Sequence, residues 1–349
     1  MDGARHGCGR SATVSDMNPE IAPVAAVQGG CFTTAQAYAA GWSRQDIAAA
    51  RRAGRWLQLT KGTYVDTTLW DAMTEIDRHL CTVHAALLTR ASEWHAGRRS
   101  AALAHGLPLL GKLPMAPQLL RQPLRTTDRS SSRHHRLASL PDAETAVRRN
   151  LRVSGLARTV IDIAREESFE SGVIVADGAL GQGLTREELL AVADRCRRWP
   201  GGRRALRVAN FADGLAESAL ESRSRVSLER CGLPPPELQV EIWLGQRFLG
   251  RADALWREAN LIGEADGRGK YSSPDVLYAE KVRQEGFEDV GLVVVRWGWR
   301  TAANRDGELE TKIRRGLERG RRSTLNPAVR FVPTTVEQAL RRDQTRRAA

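Results

Sequence analysis

At 349 residues, 42% of them hydrophobic, the chain is long for one domain and sufficient for two or three with cores of their own. Its 53 Lys and Arg against 41 Asp and Glu leave a net charge of +12, which favours a polyanionic partner, either nucleic acid or an anionic membrane surface. Five cysteines, odd in number and never in a C-x-x-C pair, argue against a disulfide framework or a zinc site, and no apolar run approaches the roughly 18 to 20 residues of a membrane helix, so a reducing cytoplasmic setting without a membrane partner is expected.

In chain order, residues 1–20 are polar, lack periodicity and do not follow a secretory-signal pattern; they read as a disordered tail. Residues 21–70 read as a winged helix-turn-helix. Thr33 or Thr34 can cap a short helix that Gly41 ends, and Ser43 can cap a second, Arg44 to Ala53, stopped by Gly54. Two short helices around a tight glycine turn make a helix-turn-helix. Arg55–Leu59 and Thr63–Val65 are strand-like runs around Lys61-Gly62 and supply a hairpin wing. The second helix is then the recognition helix, with Ile47 and Ala50 facing the core. Arg44, Gln45, Ala48, Arg51 and Arg52, with Arg55 and Lys61 from the wing, are left free to meet DNA. The arginines suit phosphates, while Arg44 or Gln45 near the helix start can reach base edges. A solvated helix face, or a winged helix used for protein contacts, is the competing reading.

Residues 71–213 mix helices with short strands and carry less chemistry. His105 lies in an apolar Ala/Leu segment and reads as a core or capping histidine. Arg158 and Asp162 stand one helical turn apart, a pair worth tenths of a kcal/mol if exposed. Arg121, Arg125, Arg129, Arg133 and Arg136, with His134 and His135, form a basic Ser/Thr-rich loop that either follows a phosphate backbone or is simply solvated.

The segments Gly30-Cys31-Phe32-Thr33 with Gln36-Ala37, Gly54-Arg55-Trp56 through Gly62-Thr63-Tyr64, Ser100 through Pro108 and Gly155 through Arg165 resemble AbiEi-type antitoxins of type IV toxin–antitoxin systems over most of residues 28–185. The resemblance implies a DNA-binding regulator, sometimes an autorepressor, with a toxin protein as a possible partner.

Residues 214–325 are where catalysis would reside. A helix opening at Ser218 places Glu217, Glu221, Ser224, Arg225 and Leu228 on one face, and Gly232 with Pro234, Pro235 and Pro236 breaks it. Gln239–Leu244, Phe248–Trp256 and Leu261–Asp266 then read as an antiparallel meander. A four-residue connection pairs Trp256 with Leu261, and counting outward sets Asp253 opposite Glu264. Facing carboxylates about 4.5–5.5 Å apart at Cβ suit one hard divalent ion. Asp266 shares that face, and Lys270 follows on a glycine loop. Asp253, Glu264 and Glu221 are thus candidate ligands for Mg²⁺ or Mn²⁺, with Asp266 and Lys270 completing the parts of a phosphodiester hydrolase.

These residues, with Glu221-Ser222-Arg223, Gly232-Leu233-Pro234-Pro235-Pro236 and Gln239, Gly250 through Trp256, Glu264 through Tyr271 and Glu280-Lys281-Val282-Arg283, resemble the very-short-patch-repair branch of the PD-(D/E)xK nucleases over about residues 217–300. The resemblance implies a restriction-endonuclease-like α/β domain. One departure stands out: Asp266 occupies the place of the usual lysine, so activity would need a migrated lysine such as Lys270. In an inactive fold, Arg251 or Arg268 would balance Asp253 and Glu264, while Arg283 and Arg296 face phosphate or bridge to the carboxylates. Gly291–Trp297 reads as a buried core strand, and residues 326–349 as a basic tail or frayed helix. The expected fold class is α/β (α+β): a winged helix-turn-helix, a mixed α/β middle region and a restriction-endonuclease-like domain. The expected function is a DNA-binding protein with a metal-dependent endonuclease domain, the alternative an antitoxin or transcriptional regulator whose nuclease fold is inactive.

Overall fold

The computed structural model describes residues 19–121, 135–137, 140–267, 274–303 and 307–348. The chain divides into two compact units: the described residues of Met1–Leu107 with Gly111–Thr159, and those of Pro108–Leu110 with Val160–Ala349. Residues 160–213 therefore group with the C-terminal stretch, whereas the sequence suggested a single middle region over 71–213. The disordered tail expected over residues 1–20 lies, up to residue 18, outside the described residues.

The first unit begins with α1 (Ala22–Val27), β1 (Cys31–Thr33), α2 (Thr34–Ala39), α3 (Arg44–Arg52), β2 (Trp56–Thr60) and β3 (Thr63–Asp66). Thr33 accepts a hydrogen bond from the Gln36 N–H while the Gln36 side chain accepts one from the Thr33 N–H, and Ser43 and Asp46 repeat the exchange at α3. Each exchange satisfies two donors that a helix start otherwise leaves orphaned, which lets helices of 6 and 9 residues begin there. Gly41 at φ +82° and Gly54 at φ +69° turn the chain after each helix. The strands pair in the order β1-β3-β2, and Phe32, Ile47, Ala50, Trp56 and Tyr64 fill the space between sheet and helices. Phe32 meets Trp56 edge-on at 4.7 Å. This is the expected helix-turn-helix with its wing, α3 ending at Arg52 and Ala53 serving as its C-cap.

α4 (Thr67–Ala72) and α5 (Glu75–Leu88) follow, and Cys81 and Ala85 of α5 pack on Cys31 and Val65 beneath the wing. β4 (Trp94–Ala96), α6 (Arg98–Ala104), β5 (Leu119–Arg121), β6 (His135–Leu137), β7 (Thr145–Arg148) and β8 (Leu151–Ser154) build a second sheet, ordered β6-β5-β4-β8-β7. His105 is buried with its Nε2 2.8 Å from the Ser154 carbonyl, a core histidine as its apolar surroundings suggest. α7 (Leu156–Glu166) begins in this unit. Arg158 and Asp162, whose spacing would be worth tenths of a kcal/mol if exposed, are both buried: Arg158, 1% exposed, is bound to Glu144 at 3.0 Å and Asp162 to Arg165 at 3.1 Å. Glu144 is a partner that helix spacing does not show, whereas Arg165 stands one turn from Asp162 on the same helix. Of the basic loop, Arg125, Arg129, Arg133 and His134 lie outside the described residues, and Arg121 stacks on Trp94 beside Glu93.

In the second unit α8 (Phe169–Leu180), α9 (Arg186–Arg195), α10 (Gly202–Phe211) and α11 (Ala219–Arg230) precede β9 (Glu237–Leu244), β10 (Arg247–Trp256), β11 (Leu261–Ala265), α12 (Pro274–Glu288), β12 (Val293–Trp297), α13 (Trp299–Ala303), α14 (Glu308–Arg322), β13 (Val329–Pro333) and α15 (Val336–Ala348). β9, β10 and β11 form the expected antiparallel meander, and α12 carries the chain to β12, parallel to β11. The sheet is ordered β12-β11-β10-β9-β13. Side chains of α11, α13 and α14 pack around Trp256, Leu261 and Trp297 on one face; Phe287 at the end of α12 packs on Val240, Ile242 and Ile262 on the other.

Two expectations are corrected here. β12 is an edge strand, half-buried along most of its length, with only Trp297 fully inside; a run of valines is equally suited to the border of a sheet. Residues 329–333 are not a tail but the opposite edge strand, antiparallel to β9, and Arg342 beyond them is ion-paired with Glu241.

Candidate nucleic-acid interface and acidic cluster

In the winged helix Ile47 and Ala50 are buried, as helical spacing requires. The other face of α3 is open: Arg44, Gln45, Ala48, Arg51 and Arg52 are exposed, as are Arg55 and Lys61 of the wing. Arg51 lies over the Tyr64 ring at 5.9 Å, tying the helix to strand β3, and Arg52 returns to the Ala48 carbonyl at 3.4 Å. Such contacts hold the stems and leave guanidinium N–H groups facing solvent. Among the described residues, Arg44, Arg51, Arg52, Arg55 and Lys61 have no carboxylate partner. Asp46, the one acid on α3, is engaged by the Ser43 hydroxyl and N–H, which hold its pKa below the usual carboxylate value. A helix-turn-helix with an uncompensated cationic face can grip phosphate.

The second unit gathers carboxylates indoors. Glu221 sits on the first turn of α11, whose N-cap is Ser218; its Oε1 accepts from the Ser218 hydroxyl at 2.7 Å, and its Oε2 from the Glu217 N–H at 3.0 Å and the Gln239 amide at 2.9 Å. Glu264, on β11, is 3% exposed and accepts from Arg283 at 2.8 Å through Oε2. Asp253 on β10 accepts from the Ala265 N–H at 2.9 Å. Trp256 does face Leu261, but the paired ladder runs only to Ala254 opposite Gly263, so Asp253 caps a backbone amide of β11 at the point where a cross-strand pair was expected. Burial, and then the charge of Asp253, pushes the Glu221 carboxyl up to about 7 and that of Glu264 up to about 8.

Arg283 and Arg296 supply the countercharge. Arg283 bridges Glu264 and Glu280 (2.8 and 3.2 Å), and Arg296 bridges Glu280 and Asp266 (2.6 and 3.6 Å). The other sequence candidate for this task, Arg251, is engaged with Glu217 at 2.8 Å. Arg268 and Lys270 lie outside the described residues. Asp253 thus lies close enough to Glu221 and to Glu264 for its charge to act on each, and Asp266 is tied to Arg296 at the margin.

Gln239 was visible in the sequence only as a motif position. It is 1% exposed, sits at φ +52°, and binds Glu221 through its side-chain amide N–H, while its side-chain oxygen has no hydrogen-bond partner among the described residues. A buried amide in a left-handed backbone conformation is strained, and its one satisfied contact is to the acidic cluster.

Divalent-cation chemistry fits the donor types but not their present arrangement. Glu264 Oε1 is buried and has no hydrogen-bond partner among the described residues, a position a hard cation would satisfy. Yet no group of three His, Cys, Asp or Glu among the described residues is disposed to hold a metal ion. Arg283 occupies Glu264, and Ser218 and Gln239 occupy Glu221. As the side chains stand, arginine does the neutralising.

Residues 19–65 match a family described as "Transcriptional regulator, AbiEi antitoxin". The matched segment holds α1, the helix-turn-helix and nearly all of the wing. The chain is also similar to two uncharacterised proteins from two strains of Mycobacterium tuberculosis, 31% identical over 171 residues, 47% of this chain. It spans 61% of the length of those relatives. The N-terminal segment is therefore an AbiEi antitoxin/transcriptional-regulator domain of the winged-helix type, and no helix among the described residues is long and apolar enough to cross a membrane.

Proposed function

We propose that the chain is a DNA-binding regulator of the AbiEi-antitoxin kind, docked on duplex DNA through α3 and the wing. One observation carries this reading: a segment matching that family exposes Arg44, Arg51, Arg52, Arg55 and Lys61 without a compensating acid. Arg51 and Arg52 hold phosphates and set affinity; Arg44 and Gln45, at the N-terminal end of the recognition helix, reach base edges and set sequence choice. As an antitoxin it would answer to a toxin protein as second partner, and a cytoplasmic setting follows from the same role. Anisotropy titrations over a salt series test the docking. The double variant Arg51→Ala/Arg52→Ala should lower the slope of log affinity against log salt by about two units, roughly one per lost phosphate contact. An unchanged slope and affinity would remove α3 from the interface.

A metal-dependent endonuclease is the second reading, favoured by the buried Glu264 Oε1, which has no hydrogen-bond partner among the described residues and lies near Asp253. Those three carboxylates would hold Mg²⁺ or Mn²⁺, and the ion would polarise phosphate and lower the pKa of bound water. Asp266 and Lys270 would be the remaining catalytic groups. For the ion to bind, Arg283 must release Glu264. Thermal denaturation with manganese, beside a supercoiled-plasmid assay, decides it: a metal-holding wild type gains stability by mass action and nicks the plasmid, and Asp253→Ala does neither. No manganese shift in the wild type and no nicking would leave the regulator reading alone.

A further inference from the structure

The corner between α9 and α10 carries a second cationic surface, built from residues that neither the winged helix nor the acidic cluster uses. Residues 195–207 contain six arginines and no aspartate or glutamate. The chain sorts them into two sets. Arg204 is turned inward, where its Nε donates to the Ala164 carbonyl at 2.9 Å and its Nη2 to that of Arg165. Arg165, 4% exposed, donates to the Pro200 carbonyl at 2.7 Å and lies over the Trp199 ring at 5.0 Å. Gly201, at φ +77°, presses so closely on this support that a Cβ there would stand 2.0 Å from the Arg165 carbonyl oxygen. The Trp199-Pro200-Gly201 turn is thereby fixed from beneath by partly buried hydrogen bonds.

Arg207 is paired with Glu229 at 2.7 Å, away from the cleft lining, and three of the others face outward there. Arg197, Arg198 and Arg203 are exposed and, with Trp199, Gly201 and Leu206, line a cavity of about 740 Å³ open to solvent. Arg197 has an exposed aspartate, Asp194, at 3.7 Å; Arg198 and Arg203 have no acidic partner among the described residues. A fixed turn that gathers like charges around an open cleft offers a concentrated positive field to a polyanion, while each exposed charge costs the fold little. The occupant's chemistry can be narrowed. An anionic membrane would require exposed apolar side chains beside the arginines, and the apolar members of this lining, Trp199 and Leu206, are partly buried. Planar guanidinium groups around an open cleft match successive phosphates of a nucleic-acid backbone.

We propose that the Arg197–Arg203 corner is a second DNA-backbone contact, sequence-independent and separate from the winged helix. It goes beyond the docking assigned to α3, because it places phosphate-binding residues in the other compact unit.

The test uses the full chain on a duplex of arbitrary sequence. Arg198→Ala/Arg203→Ala should reduce the salt slope by about two units and weaken binding to every duplex alike, with an unchanged melting temperature because both side chains are exposed. Added to Arg51→Ala/Arg52→Ala, it should bring the total reduction to about four. If the α3 variant alone leaves the slope intact while the corner variant lowers it, the winged-helix reading fails and this one stands. An unchanged slope in a folded Arg198→Ala/Arg203→Ala variant overturns the proposal. So does a variant that keeps its duplex affinity while losing affinity for phosphatidylserine vesicles, which would assign the corner to a lipid surface.

Discussion

The winged helix and the acidic cluster handle charge in opposite ways. In α3 the ionised groups stay in solvent, where each costs little and their field is offered to a partner. Around β10 and β11 the carboxylates are buried, and the protein must supply Arg283, Arg296 and Gln239 to tolerate them. An exposed cationic face can change by one residue with little effect on folding, so it reports on binding. A buried acidic cluster binds stability to protonation, so it reports first on the fold, and only a metal-dependent shift would promote it to a catalytic site.

The largest expected effect lies next to that cluster. Asp177 on α8 is fully buried and is held by Arg225 at 2.7 Å and by the Asp213 N–H at 2.8 Å. Burial already raises its pKa to about 6, against the lowering influence of Arg225. Arg225→Ala removes the countercharge from a buried ion and should cost about 3–5 kcal/mol near pH 8, with Arg225→Lys recovering part of it. Urea denaturation of the three proteins measures this. A loss under 1 kcal/mol would mean that the interior tolerates the charge unaided, and the contrast between the two regions would collapse.

The next effect is on pH dependence. A carboxylic acid with a folded pKa above its unfolded value binds more protons in the native state, so stability falls as pH rises from about 4.5 towards the folded value. Glu264, faced by Asp253, Glu280, Arg283 and Arg296, is such a group, raised to about 8 from 4.5. Buried histidines work in the opposite direction at lower pH: His84, lowered by burial to about 4, makes stability rise with pH up to 6.5. Between pH 7 and 8 the histidines are largely neutral in both states and Glu221, raised to about 7, has mostly titrated, so the wild type should lose about 1 kcal/mol there through Glu264, which Glu264→Gln should largely abolish. An equal slope in the variant would show that Glu264 is ionised throughout, fully compensated by Arg283.

How much of this was legible in the sequence follows the range of the interactions. The helix-turn-helix was readable because its signals are local: Thr33 and Ser43 cap within three residues, and Gly41 and Gly54 stop each helix. The pairing of Trp256 with Leu261 was readable for the same reason, a short connection that leaves one register. β13 was not, because its partner β9 lies some 85 residues upstream and its own residues look like polar tail. Nor was the buried pairing of Arg158 with Glu144, which helix spacing cannot indicate. Strand counting indicates that Asp253 and Glu264 neighbour each other but not that Asp253 caps the Ala265 N–H, and it does not select Arg283 and Arg296 as the balancing groups, since they arrive through the β11-α12-β12 crossover. The division within α7 leaves no trace in composition, because a continuous helical pattern runs across it.

The smallest effect returns to the exposed region and asks whether its charge and its fold are separable. Ser43 Oγ donates to Asp46 Oδ2 at 2.6 Å and accepts from the Asp46 N–H at 3.1 Å, while the Ser43 N–H donates to the same carboxylate at 2.9 Å. Ser43→Ala removes the hydroxyl and leaves the Asp46 N–H to water, which at an exposed N-cap costs about 1 kcal/mol; Ser43→Gly should cost only a few tenths. Hydrogen exchange at the first-turn amides of α3 should accelerate accordingly. DNA affinity should fall only as far as the helix frays, and the salt slope should not move, because the cap touches no phosphate in this reading. If Ser43→Ala lowered the slope by a full unit, loss of the cap would have withdrawn a charged contact, and Arg44 at the start of α3 would be holding a phosphate and not a base edge.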